Sequence, residues 1–442
     1  MRVSLSWLKQ LVQVTDSVDA LAHRLSMAGF EEEEIEDLSA RAKGVVVGFV
    51  KEREKHPNAD KLSVCQVDVG SEEPIQIVCG AKNVRAGLHV PVAMVGAELP
   101  AVNLTIKAGE LRGVSSNGMI CSLSELGLAT ESDGIAELDA LTDELPALGA
   151  PVAPMLGLDD TVLELAITAN RPDGLSMVGI AREVAALTGA ALTLPDLTLK
   201  PAHELLQASH ASAEAMQAGG LYGITLIEGV DGSQVSPTWV QQRLERAGIN
   251  RVNAVVDITN VVMLEQGQPL HAFDADALEQ LTGKPVNAAS FGLRQAREGE
   301  AFIGLDDREL SLDARAQVVT CHDLPVALAG VMGSKASGVT AATGRIWLES
   351  AMFSPAAVRT TARSVGLRTD ASARFEKGLP REMTLACSIR ALELLEELFP
   401  CEAKGLWVCG DSAADASSVL LRRDALHQLL GPLEDEEGSS DL

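Results

Sequence analysis

Four residues in the second half of the chain have types and surroundings that could support recognition chemistry. Glu349 follows an apolar run, and a carboxylate buried there could select a ligand that brings a hydroxyl group. A ligand without the hydroxyl would leave the carboxylate unpaired, at a cost of about 1–3 kcal/mol or more. His271 lies in a predicted turn, and Gly330 and Gly333 have no Cβ, so a ligand could approach their backbone closely. Taken singly, such a glutamate is more often a solvated strand end, and such a histidine is more often structural.

A second candidate group is basic and lies in the first third of the chain. The net charge of −26 disfavours contact with nucleic acid unless the charge is uneven. It is uneven, because the stretch from 41 to 112 holds ten basic and eight acidic residues, a net charge of +2. The alternative is that these residues only keep a charge-balanced domain soluble. The residues expected to contact phosphates are Lys55, His56, Lys61, Lys82 and Arg85.

The elements that must position these residues indicate an α+β multidomain protein. Short β-branched runs punctuated by Gly and Pro predict a small barrel. The predicted barrel strands are 44–50, 63–69, 75–78 and 90–95. Mixed α/β sequence lies on both sides of the barrel, and a larger mixed unit follows. Its predicted helices are 237–247, 256–265, 355–364 and 380–398, and its predicted strands include 316–321, 325–329 and 345–348.

The sequence is also informative through the signals that it lacks. Seven scattered cysteines form no CxxC pair, which argues against a disulfide framework or a zinc site. No apolar run approaches the roughly 18 residues of a membrane span, and no GxxxxGK[ST] phosphate loop occurs. We therefore expect a cytoplasmic protein with no ATP site and no bound metal in this chain.

An ordered series of motifs in the barrel region resembles a known module. His56–Ser63 is followed by Ile77–Val84, Pro91–Ala93 and Leu111–Ser122. This series resembles the tRNA-binding OB-fold module found on several synthetase-linked proteins. Phe49 is the one aromatic residue between 41 and 128, so stacking on bases is scarce and any binding should be electrostatic.

A longer series covers most of the remaining chain. It comprises Ala166–Arg182, Asn253–Asp274, Ala327–Gly333, Trp347–Ser350 and Gly366–Gly378. The series resembles the proofreading region of phenylalanyl-tRNA synthetase β subunits of the bacterial type. The resemblance implies an OB-fold barrel (41–149) inserted in a small α/β domain (1–40 with 150–200). It further implies a B3/B4-type editing domain (210–405) and the start of a truncated B5-type domain (410–442). In that last segment the sequence pattern predicts a strand at 419–422 and a helix through Leu430 with Asp424 as its N-cap.

The same resemblance assigns roles to individual residues. Glu349 matches the glutamate that reads the tyrosine hydroxyl, and His271 matches a histidine at the ester end of the pocket. Thr369 completes the catalytic set. Gly330, Gly333 and Ala371 match the pocket wall, while Asn250 and Arg251 stand where the family often reads Gly-Ile-Arg-Pro. Because Asn250 takes the usual arginine position, Arg251 is the alternative contact to the tRNA terminus.

For the whole enzyme the resemblance implies ATP-dependent charging of tRNA(Phe) with phenylalanine. ATP and Mg²⁺ would serve the synthetic site on a separate α subunit, in an α2β2 assembly, and this portion would bind neither. It would bind tRNA and hydrolyse mischarged Tyr-tRNA(Phe). Two alternatives stay open on the sequence: a non-enzymatic tRNA-binding protein, and a free-standing editing factor that ends near residue 442.

Overall fold

The structure is a computed structural model that describes residues 1–129, 131–141, 145–198, 205–207, 220–410 and 418–431, with 205–207 as backbone only. In the N-terminal part, an antiparallel sheet has the order β1-β12-β2. Its strands are β1 (Arg2–Ser4), β2 (Glu32–Asp37) and β12 (Thr161–Leu165). The helices around it are α1 (Leu5–Leu11), α2 (Val18–Met27) and α3 (Met177–Thr188). The Ser17 hydroxyl accepts a hydrogen bond from the Ala20 amide and so caps α2.

The segment between β2 and β12 forms a bent five-stranded sheet of order β11-β6-β3-β4-β5. Its strands are β3 (Val45–Lys55), β4 (Ser63–Asp68), β5 (Ile75–Cys79), β6 (His89–Met94) and β11 (Gly118–Ile120). Two ribbons accompany it: β7 (Glu98–Leu99) with β8 (Leu104–Thr105), and β9 (Gly109–Leu111) with β10 (Val114–Ser116). The Val78 amide donates to the Ser116 hydroxyl at 3.0 Å, and the Asn117 amide donates to the Gln76 carbonyl at 2.9 Å. These bonds bring the two edges together, so the predicted barrel is nearly closed.

The third part is built on a five-stranded sheet of order β13-β23-β14-β22-β15 and a four-stranded sheet of order β16-β19-β20-β21. The first sheet comprises β13 (Leu205–Gln207), β14 (Leu221–Glu228), β15 (Leu270–Asp274), β22 (Arg345–Met352) and β23 (Glu402–Cys409). The second comprises β16 (Phe291–Gln295), β19 (Gln317–Cys321), β20 (Leu324–Leu328) and β21 (Met332–Gly333), with a ribbon of β17 (Glu300–Ile303) and β18 (Glu309–Leu312). The helices are α4 (Thr238–Arg246), α5 (Ala254–Gln266), α6 (Ala275–Thr282), α7 (Pro355–Val365), α8 (Asp370–Phe375) and α9 (Arg381–Leu398).

Alternation along β22 divides the packing into two layers, because successive side chains of a strand point to opposite faces. Leu348 and its same-face neighbours pack with α4, α5, α9 and the N-terminal helices. Trp347, together with Phe273 of β15 and Ile224 of β14, packs with the four-stranded sheet and α7. Glu349 has the parity of Trp347 and therefore faces this second layer.

The N-terminal part and the third part share one apolar core. Trp7 of α1 and Val240 of α4 belong to the same buried cluster. The guanidinium of Arg243 lies 4.3 Å from the centre of the Trp7 ring, a cation–π contact across the two parts. Arg246 of α4 donates a hydrogen bond of 2.9 Å to the Ser6 hydroxyl of α1. The small N-terminal unit is thus fused to its neighbour by burial as well as by the chain.

One predicted element does not form. The stretch Val419–Arg422 has no strand structure, and its Val419 side chain is 90% exposed. A strand forms only against a partner, and within the described ranges this stretch has no sheet beside it. Helix α10 (Arg423–Leu430) does follow, with Asp424 in its first turn and not at its N-cap. Of the segment 410–442, residues 411–417 and 432–442 lie outside the described residues.

Two observations complete the picture of the described residues. All seven cysteines are unpaired. In the ranges that the structure covers, the helices are too short or too polar to cross a bilayer.

Candidate functional site

Glu349 and His271, two of the predicted site residues, lie on neighbouring strands of the five-stranded sheet. Strand β22 extends to Met352, so Glu349 lies inside the strand and not at its end. In the antiparallel pairing of β15 and β22, His271 is directly opposite Glu349. Residues paired in this way have Cβ atoms about 4.5–5.5 Å apart and point to the same face. The fold therefore brings together two side chains that are 78 positions apart in the sequence.

Glu349 is buried, with 7% of its surface exposed. The Tyr222 hydroxyl of β14 donates a hydrogen bond of 2.7 Å to Glu349 Oε2. Burial raises the pKa of Glu349 to about 7, because a charged carboxylate loses its hydration, while the Tyr222 hydrogen bond lowers the pKa. The carboxyl group can therefore change its ionisation close to neutral pH.

His271 presents a neutral imidazole to the same layer. Its ring packs edge-on against Phe273, with ring centres 4.5 Å apart. Loss of hydration on burial lowers the pKa of His271 to about 4, so the ring is uncharged at neutral pH. Nε2 is buried and has no hydrogen-bond partner among the described residues. An unpaired buried nitrogen is costly, which makes it a candidate contact for a ligand or a water molecule.

Gly333 is the immediate neighbour of that ring. A Cβ built on Gly333 would lie 2.3 Å from His271 Cε1 and 2.5 Å from Nε2, so any side chain there would collide with the imidazole. Gly330 adopts a left-handed backbone, with φ of 69°. A Cβ on Gly330 would meet Val358, Phe375 and Phe353 at 2.9 to 3.1 Å. Both predicted pocket glycines are thus required by close packing.

Thr369 and Ala371 lie at the start of α8, which is hydrogen-bonded to the loop 330–333. The Thr369 hydroxyl donates to the Val331 carbonyl at 2.9 Å, which ties the start of α8 to the segment between the two glycines. The same hydroxyl accepts from the Ser372 amide at 3.1 Å and caps α8. Ala371 is partly buried against the layer that holds Phe273. The loop 330–333 thereby links Thr369 to His271.

Asn250 and Arg251 lie elsewhere. Both side chains are exposed in the connection between α4 and α5, and Arg251 donates a hydrogen bond to Gln241 of α4. Helices α4 and α5 pack on the face of the five-stranded sheet opposite to Glu349. The structure does not bring these two residues into contact with the cluster around Glu349.

Sequence reasoning missed Tyr222. This residue is the single tyrosine of the chain, and it is 4% exposed. It stands opposite Ala351 in the pairing of β14 with β22, so Glu349 is its diagonal neighbour on the same face. Its partner is 127 positions away, and no local pattern could reveal that contact. The isolated tyrosine in an apolar run was the available signal.

The basic residues of the barrel differ in their availability. Lys61 and Lys82 are exposed and, within the part of the chain described, form no ion pair. Lys55 is exposed and pairs with Asp60 at 2.8 Å. Arg85 makes a bidentate pair with Glu137 at 2.9 and 2.8 Å. Two of the four exposed cations are therefore already neutralised by carboxylates.

His56 requires a correction to its expected phosphate contact. It is 2% exposed. Its Nδ1 accepts from the Asn58 amide at 3.0 Å, and its Nε2 then donates to the Leu111 carbonyl at 2.9 Å. Both ring nitrogens are used to fix the turn after β3 against the β9–β10 ribbon, so this side chain is structural in the conformation observed.

Two of the cavities among the described residues lie outside the cluster at Glu349. One, of about 760 Å³, lies in the barrel and is lined by residues that include Cys79, Lys107 and Glu125. The other, of about 490 Å³, lies on the four-stranded sheet beside Arg294 and His322. Neither is lined by Glu349 or His271.

Comparison with known proteins first gives the class. Residues 45–144 match the tRNA-binding-domain family, and residues 218–400 match the B3/4 domain family. The chain is thus a protein in which a tRNA-binding barrel precedes a B3/4 domain, in agreement with the fold described above.

The particular family follows from full-length relatives. The chain is 97% identical over 442 residues to a phenylalanine--tRNA ligase β subunit from Parasynechococcus marenigrum (strain WH8102), with 100% of this chain and 54% of that protein covered. A β subunit from Synechococcus sp. (strain CC9605) is 71% identical with the same coverage. The chain belongs to the family of phenylalanine--tRNA ligase β subunits, and it spans about half the length of these relatives.

A solved structure was also found. It is an N-terminal fragment of the phenylalanyl-tRNA synthetase β subunit from Pyrococcus horikoshii, at 15% identity. The match covers 67% of this chain and 77% of that chain, with a TM-score of 0.28.

Proposed function

We propose that this chain is the portion of a phenylalanyl-tRNA synthetase β subunit that binds tRNA and hydrolyses Tyr-tRNA(Phe). The whole enzyme would charge tRNA(Phe) with phenylalanine in the cytoplasm, using ATP and Mg²⁺ at a synthetic site on the α subunit of an α2β2 assembly. In this proposal the barrel (41–149) is inserted in the unit 1–40 with 150–200. The editing unit is 210–405, and a B5-type domain begins at 410.

The observation that carries the proposal is the buried Glu349 carboxyl group beside His271. Tyrosine differs from phenylalanine by one hydroxyl, and an apolar pocket rejects an added hydroxyl by only about a hundredfold. A buried carboxylate reverses the preference. The tyrosine phenol satisfies the oxygen that Tyr222 does not use, whereas phenylalanine leaves that oxygen unpaired at about 1–3 kcal/mol or more. Glu349 has both the burial and the hydrogen-bonding chemistry that this selection needs.

Hydrolysis itself requires little more than a positioned water molecule. The water oxygen adds to the ester carbonyl carbon, the bond to the ribose oxygen breaks, and that oxygen takes up a proton. With its pKa near 4, His271 is a poor general base, since efficient bases have a pKa near the working pH. Its unpaired Nε2 is better suited to orienting the water or the ester. The loop 330–333 and Thr369 form the wall beside it.

For tRNA binding we propose an electrostatic contact. Lys61 and Lys82 supply free positive charge, and Lys55 and Arg85 contribute when a phosphate displaces their carboxylate partners. Such a surface follows the backbone and reads sequence weakly. Asn250 and Arg251, exposed on the far face, remain candidates only for a contact to a distant part of the tRNA.

The test is deacylation by the 442-residue chain with two substrates, Tyr-tRNA(Phe) and Phe-tRNA(Phe). We expect faster loss of the tyrosyl ester, and we expect Glu349→Ala to lower the ratio of the two rates by about tenfold or more. His271→Asn should slow the tyrosyl reaction with less effect on the ratio.

Two results would contradict this reading. A wild-type chain that binds tRNA but accelerates neither reaction would identify a non-enzymatic tRNA-binding protein. A Glu349→Ala variant that keeps the wild-type ratio would remove the carboxylate from the recognition step.

A further inference from the structure

We propose that Tyr222 is a positioning residue for substrate selection. It holds Glu349 through Oε2, so that the carboxylate is oriented and charged when the ligand hydroxyl arrives. This inference rests on the proposed editing function. It adds the second protein group on which recognition of the phenol depends.

The geometry restricts where the Tyr222 hydroxyl can go. Its ring is 4% exposed and packs in the layer with Trp347 and Phe353. The ladder between β14 and β22 fixes Tyr222 opposite Ala351, and so diagonal to Glu349. The 2.7 Å bond to Oε2 is the result of this register. A one-residue slip of either strand would turn the phenol to the other face, so the contact is specified by the sheet.

The hydrogen bond has a chemical consequence for Glu349. A buried carboxyl group prefers to be neutral, and a neutral carboxyl can act as a donor as well as an acceptor. A neutral carboxyl group loses less free energy than a carboxylate when a ligand leaves it without a partner, so the neutral form would reject phenylalanine more weakly. The Tyr222 hydroxyl stabilises the charged form, because hydrogen bonds to charged groups are stronger than neutral ones.

The surroundings of Glu349 support this division of roles. The titratable groups that face it or Tyr222 are His271 of β15, Cys321 of β19 and Cys409 of β23. His271 is neutral because burial lowers its pKa, and burial raises the pKa of Cys321 to about 12. Among the described residues, it is the Tyr222 hydrogen bond that favours the Glu349 carboxylate by lowering its pKa.

The single tyrosine allows a direct experiment. Tyrosine labelled with ¹³C at the ring carbon that bears the hydroxyl gives one NMR signal, from Tyr222. We expect this signal to move as pH passes through about 7, where Glu349 titrates, and to lose that transition in Glu349→Gln. L-Tyrosine methyl ester should shift the signal, whereas L-phenylalanine methyl ester, lacking only the hydroxyl, should not.

Activity supplies the second readout. Tyr222→Phe should reduce the ratio of tyrosyl to phenylalanyl deacylation by about tenfold. It should also move the pH at which selective hydrolysis appears to a higher value, because the carboxylate loses its stabilising donor. Growth on 3-fluorotyrosine replaces only residue 222, keeps the ring in place, and makes the phenol a stronger acid. The pH at which selective hydrolysis appears should then move to a lower value.

The outcomes separate the two proposals. If the wild-type chain hydrolyses neither ester, the editing function fails. The wild-type chain could instead be selective while Tyr222→Phe and the fluorinated protein both keep the wild-type ratio of deacylation rates and the wild-type pH of onset. In that case only the role of Tyr222 is overturned. Faster tyrosyl hydrolysis in Tyr222→Phe would also overturn it, since the phenol would then be a competitor for Glu349.

Discussion

Replacement of Gly333 by alanine tests whether the loop 330–333 sets the position of His271. Gly333 lies in the short strand β21, and its Cα faces the imidazole. The added methyl carbon would lie 2.3 Å from His271 Cε1, whereas ordinary contact begins at 3.4 Å. The ring, the loop or both must therefore move by about 1 Å. The ring cannot simply swing away, because Phe273 packs against it at 4.5 Å.

The size of the effect follows from that displacement. Extra methyl groups in a packed interior typically cost about 1–3 kcal/mol of stability. A misplacement of about 1 Å in a positioning group can slow a reaction by about a hundredfold. We therefore expect Gly333→Ala to reduce deacylation of Tyr-tRNA(Phe) by roughly that factor. The affinity for tRNA, which we propose to depend on the barrel, should stay unchanged.

The assay compares single-turnover deacylation rates and urea unfolding for Gly333→Ala and for a matched control. Gly344→Ala is the control, because a Cβ there meets no atom within 4 Å and the residue lies in the same part of the fold. A Gly333→Ala protein that deacylates at the wild-type rate would refute the reasoning, since His271 would then be free to move without consequence.

Three further predictions concern charge. Burial raises the pKa of Glu349 from 4.5 to about 7, so the folded state favours the neutral carboxyl group. This preference contributes up to about 3 kcal/mol to the free energy of unfolding below pH 4.5. The contribution is lost as pH rises through about 7. Urea titrations at pH 5 and pH 8 should show this loss as a change in the difference between the wild type and Glu349→Gln. The comparison is needed because the lowered pKa of His271, common to both proteins, makes stability rise over the same pH range. Lys82→Ala should reduce the slope of log affinity for tRNA against log salt by about 1, and Arg85→Ala, whose cation is already paired, should reduce it less. Glu265 is 2% exposed, and Glu265→Ala should destabilise the fold by about 1.5–3 kcal/mol, measured by urea unfolding, because it removes both hydrogen bonds from the partly buried Arg390.

The barrel shows which part of a strand can be predicted from hydrophobic periodicity alone. The predicted strand 44–50 corresponds to β3, which in fact continues to Lys55. Residues from Lys51 to Lys55 are exposed and charged, so they carry no apolar alternation. Pairing with β4 extends the strand, since Arg53 lies opposite Cys65. The sequence predicts the part of a strand that packs and omits the part that is held by its neighbour. For the same reason, it predicts a strand at 419–422 where no partner is present among the described residues.

Some residues of the candidate site could likewise be predicted from the sequence, and others could not. Glu349, His271 and Gly333 could be selected from motifs, and the structure brings the three together. Tyr222 could not be selected, because its role depends on strand register across 127 positions. His56 was selected for its residue type, yet its two ring nitrogens are used within the protein. Residue type suggests a chemistry, but only the fold shows which atoms are available for it.

The insertion point of the barrel has a mechanical consequence. The chain leaves the N-terminal sheet at Asp37 and re-enters it at Thr161, and these two residues are paired with each other in the ladder of β2 and β12. The barrel is therefore mounted on two adjacent anchor points, which resist the swinging that a single tether permits. The lysines of the barrel are therefore held at a fixed distance from the N-terminal sheet. Because Asp37 and Thr161 are already paired, a hairpin loop of about two to five residues could join them and replace the barrel.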